Sequence, residues 1–433
     1  MKITRMTTAV SVGLATMLLA SGCSSSSGGG DGDVRLQMVE SLTNPTRTAL
    51  LKELLADFET ENPGVTVELI SPPTDQADQK IQQMLQAGNG IDVLEVRDIT
   101  VGPFSANGWI SDMTEVLDGW EGWEDMTANA VDYATNDDGQ TYYIPYGFYG
   151  LSVFYRTDLV EAAGFDGPPE TWAEMLEQAT AIQESGDGNY GYAFRGGTNG
   201  NGNLATAIEA YVADDIDTSN GFKLTDGSSI FSAPEAQDAA DMYFELFAKA
   251  SPPSSVAWGY PEMVEGFSNG STAFLLQDPE VISAIGSSTA ITEDQWDTAP
   301  LVKGPTGKAV QAVATSGWGT AESSEHKEEA AELIKFLSSG DASTRFTKEN
   351  SLVPILTSAA EDEFYSTGAW ASYVTMTENP DTYISVIQPR SVEWWTEWTQ
   401  KADSEVQRVL VGDMTSEELL ASWDEYWMEK WAE

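Results

Sequence analysis

Apolar residues alternate at Val34, Leu36 and Met38, the period of a half-buried strand. After Asn44-Pro45-Thr46, which offers a helix start, the period changes. Leu50, Leu51, Leu54, Leu55 and Phe58 recur three and four apart as far as Glu61, and Asn62-Pro63-Gly64 stops that helix. Val65, Val67 and Leu69 alternate again. Ile81, Met84 and Leu85 mark a second helix closed by Gly88, and Ile91–Val96 is a short apolar strand. Strand, helix, strand, helix, strand predicts a parallel sheet flanked by helices, an α/β architecture. Further along, the pattern predicts helices over 170–184, 234–250, 261–269 and 325–338, a strand over 273–276, and a helical, tryptophan-rich C-terminal third.

The first residues read differently. Lys2 and Arg5 precede an apolar run from Ala9 to Ala20, and small residues then lead to Cys23. This is the order of an export signal, and the run is too short to span a bilayer. Leu19-Ala20-Ser21-Gly22-Cys23 resembles a bacterial lipobox, with Ala20 where leucine is usual. The resemblance implies that 1–22 is cleaved and that Cys23 is lipidated on the outer face of the cytoplasmic membrane. Cys23 is the only cysteine, so no intramolecular disulfide forms. The Ser/Gly-rich stretch over 24–33 suits a flexible tether.

The remaining 411 residues (433 − 22) carry ample aromatic surface, with 14 Trp, 15 Tyr and 15 Phe in the chain. Length implies two or three domains and composition excludes global disorder. The formal charge of −48 repels phosphate backbones, which argues against nucleic-acid partners. The acids are spread along the chain, as on a solvated surface.

Five phrases carry a family resemblance. They are LLADFETENPGVTVELI (54–70), GIDVLEVRD (90–98), YYIPYGFYGLSVFYRTDLVEAAGF (142–165), EGFSNGSTAFLLQD (265–278) and SGWGTAESSEHKEEAAELIKFLSS (316–339), the last followed by SLVPILTSA. Together and in this order they resemble the family 1 extracellular solute-binding proteins, relatives of maltose-binding protein. The resemblance implies a two-lobe periplasmic-binding-protein fold of type II. Lobe one is expected over 34–146 and 277–322, lobe two over 147–276 and 323–433, with a ligand cleft between them. It also implies an oligosaccharide ligand, delivery to the permease of an ABC importer, a monomer and no cofactor. A secreted carbohydrate-active enzyme and a receptor's sensing module are the alternatives, and a polyol or glycerol phosphate is the alternative ligand.

A sugar presents hydroxyls at its edge and C–H groups on its face. Charged planar groups bind the first and flat rings the second. At the positions where the family places cleft loops, the expected ligand-binding residues are Glu40, Asn44, Arg97, Asp98, Tyr149, Trp258, Gln277, Asp278, Trp318, Arg390, Trp394 and Trp395. Asn44 equally reads as a helix cap, Arg97 as a partner for a nearby acid, and Trp394–Trp398 as a structural stripe. Arg195-Gly196-Gly197 is a further loop candidate. No G-x-S-x-G, H-E-x-x-H or Walker motif occurs, and His326 is the sole histidine. Asp215, Asp217, Ser219 and Asp226 have ligand-like spacing for calcium, but Asn220 stands where an EF-hand needs glycine.

Overall fold

The computed structural model describes residues 34–432 apart from Asp137, Asp187 and Glu361. The expected signal segment, Cys23 and the tether lie outside the described residues. Among the described residues eleven strands run in chain order: β1 (Val34–Val39), β2 (Val65–Ile70), β3 (Val93–Arg97), β4 (Ile144–Tyr149), β5 (Ser152–Arg156), β6 (Tyr190–Tyr192), β7 (Thr272–Gln277), β8 (Trp296–Ala299), β9 (Ala309–Ala312), β10 (Ala314–Thr320) and β11 (Tyr383–Val386). They form a five-stranded sheet in the order β2-β1-β3-β10-β4, a four-stranded sheet β6-β7-β5-β8 and a pair β11-β9.

In the first sheet β2, β1 and β3 are parallel, with Val34 opposite Val65 and Met38 opposite Val93. The intervening helices make this possible, because a parallel pair needs a crossover. The helix Pro45–Glu61 starts where expected: the Asn44 side chain accepts a hydrogen bond from Arg47 N, and Pro45 sits in the first turn. It buries Leu50, Leu51, Leu54, Leu55 and Phe58, each contributing about 1.5–3 kcal/mol when fully withdrawn from water. β10 joins antiparallel to both β3 and β4.

Two large cores define two lobes. The first gathers Leu36, Leu51, Val93, Ile144, Tyr146 and Trp318 with Leu333, Ile334, Phe346 and Leu352. The second gathers Val153, Trp172, Phe194, Ile208, Tyr243 and Val310 with Val386, Trp398, Trp423 and Trp427. The expected lobe boundaries need correction here. Val281 and Ile285 pack with Phe154 beside the second core, and Ala299–Val310 lie within it, so the stretch after 277 does not return to the first lobe until β10. Conversely, the helices Lys327–Leu337 and Gly340–Glu349 cover the first sheet, not the second. An amphipathic stripe announces that a helix is buried but not which sheet receives it.

Among the described residues the chain passes between lobes at three places. β4 leads to β5 through Gly150-Leu151, β9 leads to β10, and the chain leaves the first core after Ala359 and joins the second at Tyr365. Gln311 Nε2 donates to Leu151 O at 3.1 Å, tying two crossings together. The positions where this brings loops together lie at the ends of β3, β4 and β7.

Candidate interlobe binding site

From the first lobe come the ends of β3 and β4. Arg97 donates to Asp78 at 2.9 Å, and Asp98 begins the helix Asp98–Ala106. Tyr149 ends β4, its hydroxyl 3.1 Å from that of Tyr146. From the second lobe come Asp278 and Glu280 after β7, Tyr260 at the start of the helix Tyr260–Ser268, Arg195 after β6, and Arg390 on the loop following β11.

An ion pair joins the two lobes: Arg390 Nη1 lies 2.9 Å from Asp98 Oδ2, with the side chains only 25% and 21% exposed. The loop around it rests directly on the first lobe. A Cβ added at Gly102 would come within 2.2 Å of Ser391 O, so only glycine admits this approach. Gln388, on the same loop, donates to the buried Glu209 at 2.7 Å.

The electrostatics reflect shared burial. Burial pushes Asp278 up to about 6. Burial and then the charge of Asp278 push Glu280 up to about 8; Arg47, Glu95 and Arg97 of the first lobe also act on it. Glu280 therefore lies within the field of charges from both lobes. Burial, reinforced by Asp278 and Glu280, raises the Tyr260 hydroxyl, and burial raises Tyr149 well above the ordinary range. Burial lowers the Arg195 guanidinium, against which Asp403 and Asp278 act. The charged form is disfavoured in each case because water is replaced by less polarisable surroundings.

Several expected ligand contacts have other partners. Glu40 is fully buried and pairs with Arg47 Nη1 at 2.9 Å, while also accepting from Thr48 and Ser71. Arg47 Nη2 lies 2.9 Å from Glu95, whose other oxygen accepts from Ser41 N and Leu42 N. Burial opposes ionisation of Glu95, but Arg47, Tyr146 and these N–H groups hold it below the usual range. The Arg47 guanidinium lies over Tyr146, Trp318 and Phe346 at 5.2–5.8 Å from the ring centroids. Glu40 is thus committed to this internal network and is corrected as a hydroxyl acceptor.

Trp318 is 1% exposed and belongs to the same assembly, so it is corrected as a platform. The glycine beside it serves strand packing, since a Cβ at Gly317 would lie 2.1 Å from Ile144 O. Gln277 is buried, and its Oε1 accepts from Asp278 N at 2.9 Å. Asn44 is exposed and acts as a helix cap. Trp394 and Trp395 are half-buried on the second core, both near Trp427 at 6.4 Å. Trp258 is half-buried with its ring over Gly266. What the structure brings together is therefore Arg97, Asp98, Tyr149, Asp278 and Arg390. The sequence reading missed Asp78, Tyr260 and Glu280; Glu280 stands two residues beyond a chosen one, and its acidity alone was no signal among 69 acids.

Asp217 and Asp226 close separate turns through Ser219 and Ser228, and among the described residues no group of three or more metal-ligating side chains occurs. Among them, too, no helix is long and apolar enough to cross a membrane.

A two-lobe α/β fold with charged and aromatic side chains converging between the lobes defines a solute-binding architecture. The family model of the bacterial extracellular solute-binding proteins matches residues 43–343, and the chain belongs to that family. A binding protein of Brucella abortus (strain 2308) is 25% identical over 409 residues, covering 92% of each chain. Among solved structures, maltose-bound MalE3 of T. maritima superposes with a TM-score of 0.78 at 23% identity, covering 92% of this chain and 99% of that one. The ABC transporter solute-binding protein of Agrobacterium radiobacter K84 in complex with ribitol gives 0.75 at 19%, covering 91% and 98%.

Proposed function

We propose that this protein captures a sugar or sugar-derived polyol, foremost an oligosaccharide, between its lobes and delivers it to the permease of an ABC importer. It acts as a monomer without catalysis or cofactor, held at the outer face of the cytoplasmic membrane through Cys23. The observation that carries the reading is the ion pair between Arg390 and Asp98 across the two lobes, and the mutual influence of Arg97, Tyr149, Tyr260, Asp278 and Glu280 supports it. Carboxylates and guanidinium groups suit hydroxyl edges, and the two tyrosines offer flat apolar area. Ligands bound by MalE3 and the Agrobacterium radiobacter protein support the solute class.

A thermal-shift panel of sugars, polyols and amino acids tests this. A ligand of the folded state at a hundredfold excess over its Kd adds about 2.7 kcal/mol of stability. The expected outcome is a shift with saccharides or polyols and unchanged ligand on chromatography afterwards. Response only to another solute class would sink the saccharide reading, and cleavage of the sugar would make the protein an enzyme.

A further inference from the structure

Glu209 is a buried acid outside the ligand-binding set. It stands near the end of the helix Gly200–Tyr211 and is fully buried. Its Oε1 accepts from Gln388 Nε2 at 2.7 Å, and its Oε2 has no hydrogen-bond partner among the described residues. Gln388 belongs to the loop that reaches the first lobe. Its carbonyl accepts from Arg390 N at 2.7 Å, Arg390 pairs with Asp98, and Ser391 O lies against Gly102. The near end of the loop is fastened to the turn that precedes Phe222. Ile387 N donates to Thr218 O at 3.0 Å, and Ile387 O accepts from Gly221 N at 2.8 Å. A Cβ on Gly221 would come within 3.4 Å of Glu209 Oε1, so the turn, the loop and the carboxyl meet at one point.

No counter-charge reaches that carboxyl from the elements packed against it. Its own helix and β9 carry no other charged residue. On the adjoining turn, Asp214 pairs with Lys308, Asp217 closes on Ser219, Lys223 lies over the Trp431 ring and Asp215 is exposed. On the helix Pro234–Ala250 the acids and Lys249 are exposed. On the helix Trp395–Leu410, Asp403 accepts from Asn199 and Asn201, Lys401 pairs with Glu405, and Glu397 and Arg408 are exposed. Burial, opposed only by the Gln388 hydrogen bond, therefore pushes the carboxyl up to about 8.

We propose that Glu209 is a positioning residue that makes the contact between the lobes sensitive to pH. Protonated, it keeps the loop carrying Arg390 docked on the first lobe; ionised, it releases that loop. Once the loop swings away, water reaches the carboxyl, which then titrates near about 4.3. The docked form is thus the one with the higher pKa. Docking is fully favoured below about pH 4.3 and weakens as pH rises toward about 8. The device works without a ligand and so stands apart from the saccharide reading.

Hydrogen exchange of the full-length protein without ligand tests this, read on residues 383–391 and 98–106 and corrected for the intrinsic rate at each pH. Between about pH 6 and about pH 8, protection of both segments is expected to fall at least about tenfold. Glu209→Gln retains an acceptor for Gln388 and cannot ionise, so its protection stays level over that range. Level protection in the wild type, or the wild-type slope in Glu209→Gln, overturns the switch. Loss confined to 383–391 overturns the coupling to the first lobe. Should Glu209→Gln fail to fold, Gln388→Ala decides: lower protection of both segments already at about pH 6 supports the tie, and protection equal to wild type overturns it.

Discussion

Glu209 shows how a residue's chemistry is set by its surroundings. It lies on the helix Gly200–Tyr211, fully buried, with Oε1 accepting from Gln388 and Oε2 without a partner. Burial pushes its carboxyl up to about 8. In the unfolded chain a glutamate titrates near about 4.3. The folded state therefore favours the protonated form. Its stabilisation is complete below about pH 4.3 and is lost as pH rises toward about 8, the sign required when the folded pKa is the higher one. Glu209→Gln, which cannot ionise, is expected to unfold near the wild-type temperature at pH 5 and above it at pH 8–9. Parallel pH profiles for the two proteins would show that Glu209 ionises freely. None of this was visible in the sequence, where Glu209 is one acid in an alanine-rich stretch.

Local elements were far more legible. The helix expected over 170–184 spans Trp172–Glu184, because its start signal is encoded within four residues. Thr171 Oγ1 accepts from Glu174 N at 3.2 Å, and Glu174 returns the favour to Thr171 N at 3.2 Å. Thr171→Ala removes this cap and is expected to cost about 1 kcal/mol, read as a lower urea midpoint at constant slope. An unchanged midpoint would mean that packing of Trp172 and Met175 alone holds the helix. The C-terminal helices Trp395–Leu410 and Ser416–Ala432 were legible as helices but not in their use. Trp398, Trp423 and Trp427 are buried together, with ring centroids 5.1–5.2 Å from that of Trp398. The aromatic stripe is thus core, and spacing alone could not say whether a ligand or a neighbouring helix would cover it.

At the scale of the molecule, the ion pair between Arg390 and Asp98 joins the two lobes. Being partly exposed, such a pair is weak, so any bias it gives toward closure is expected to be modest. Asp98→Asn is expected to shift the unliganded protein toward the open form, raising its radius of gyration in small-angle scattering and weakening ligand binding several-fold. Scattering curves that superpose for variant and wild type would remove any role for the bridge in closure. The same scale explains the lobe boundaries. The helices Lys327–Leu337 and Gly340–Glu349 return to the first sheet after β10, so each lobe is assembled from segments distant along the chain.

By itself the sequence determined the alternation of strands and helices, the helix caps and the family. These depend on short-range periodicity, on two- to four-residue turn chemistry, or on phrases kept in order. Only the tertiary structure decided that Glu40 and Trp318 belong to the Arg47 network and that Arg390 reaches Asp98. Those outcomes depend on which of many buried acids meets which of few arginines across long chain separations. With 69 acids and 21 lysines and arginines, pairing is settled by geometry in the folded molecule, and composition leaves it open.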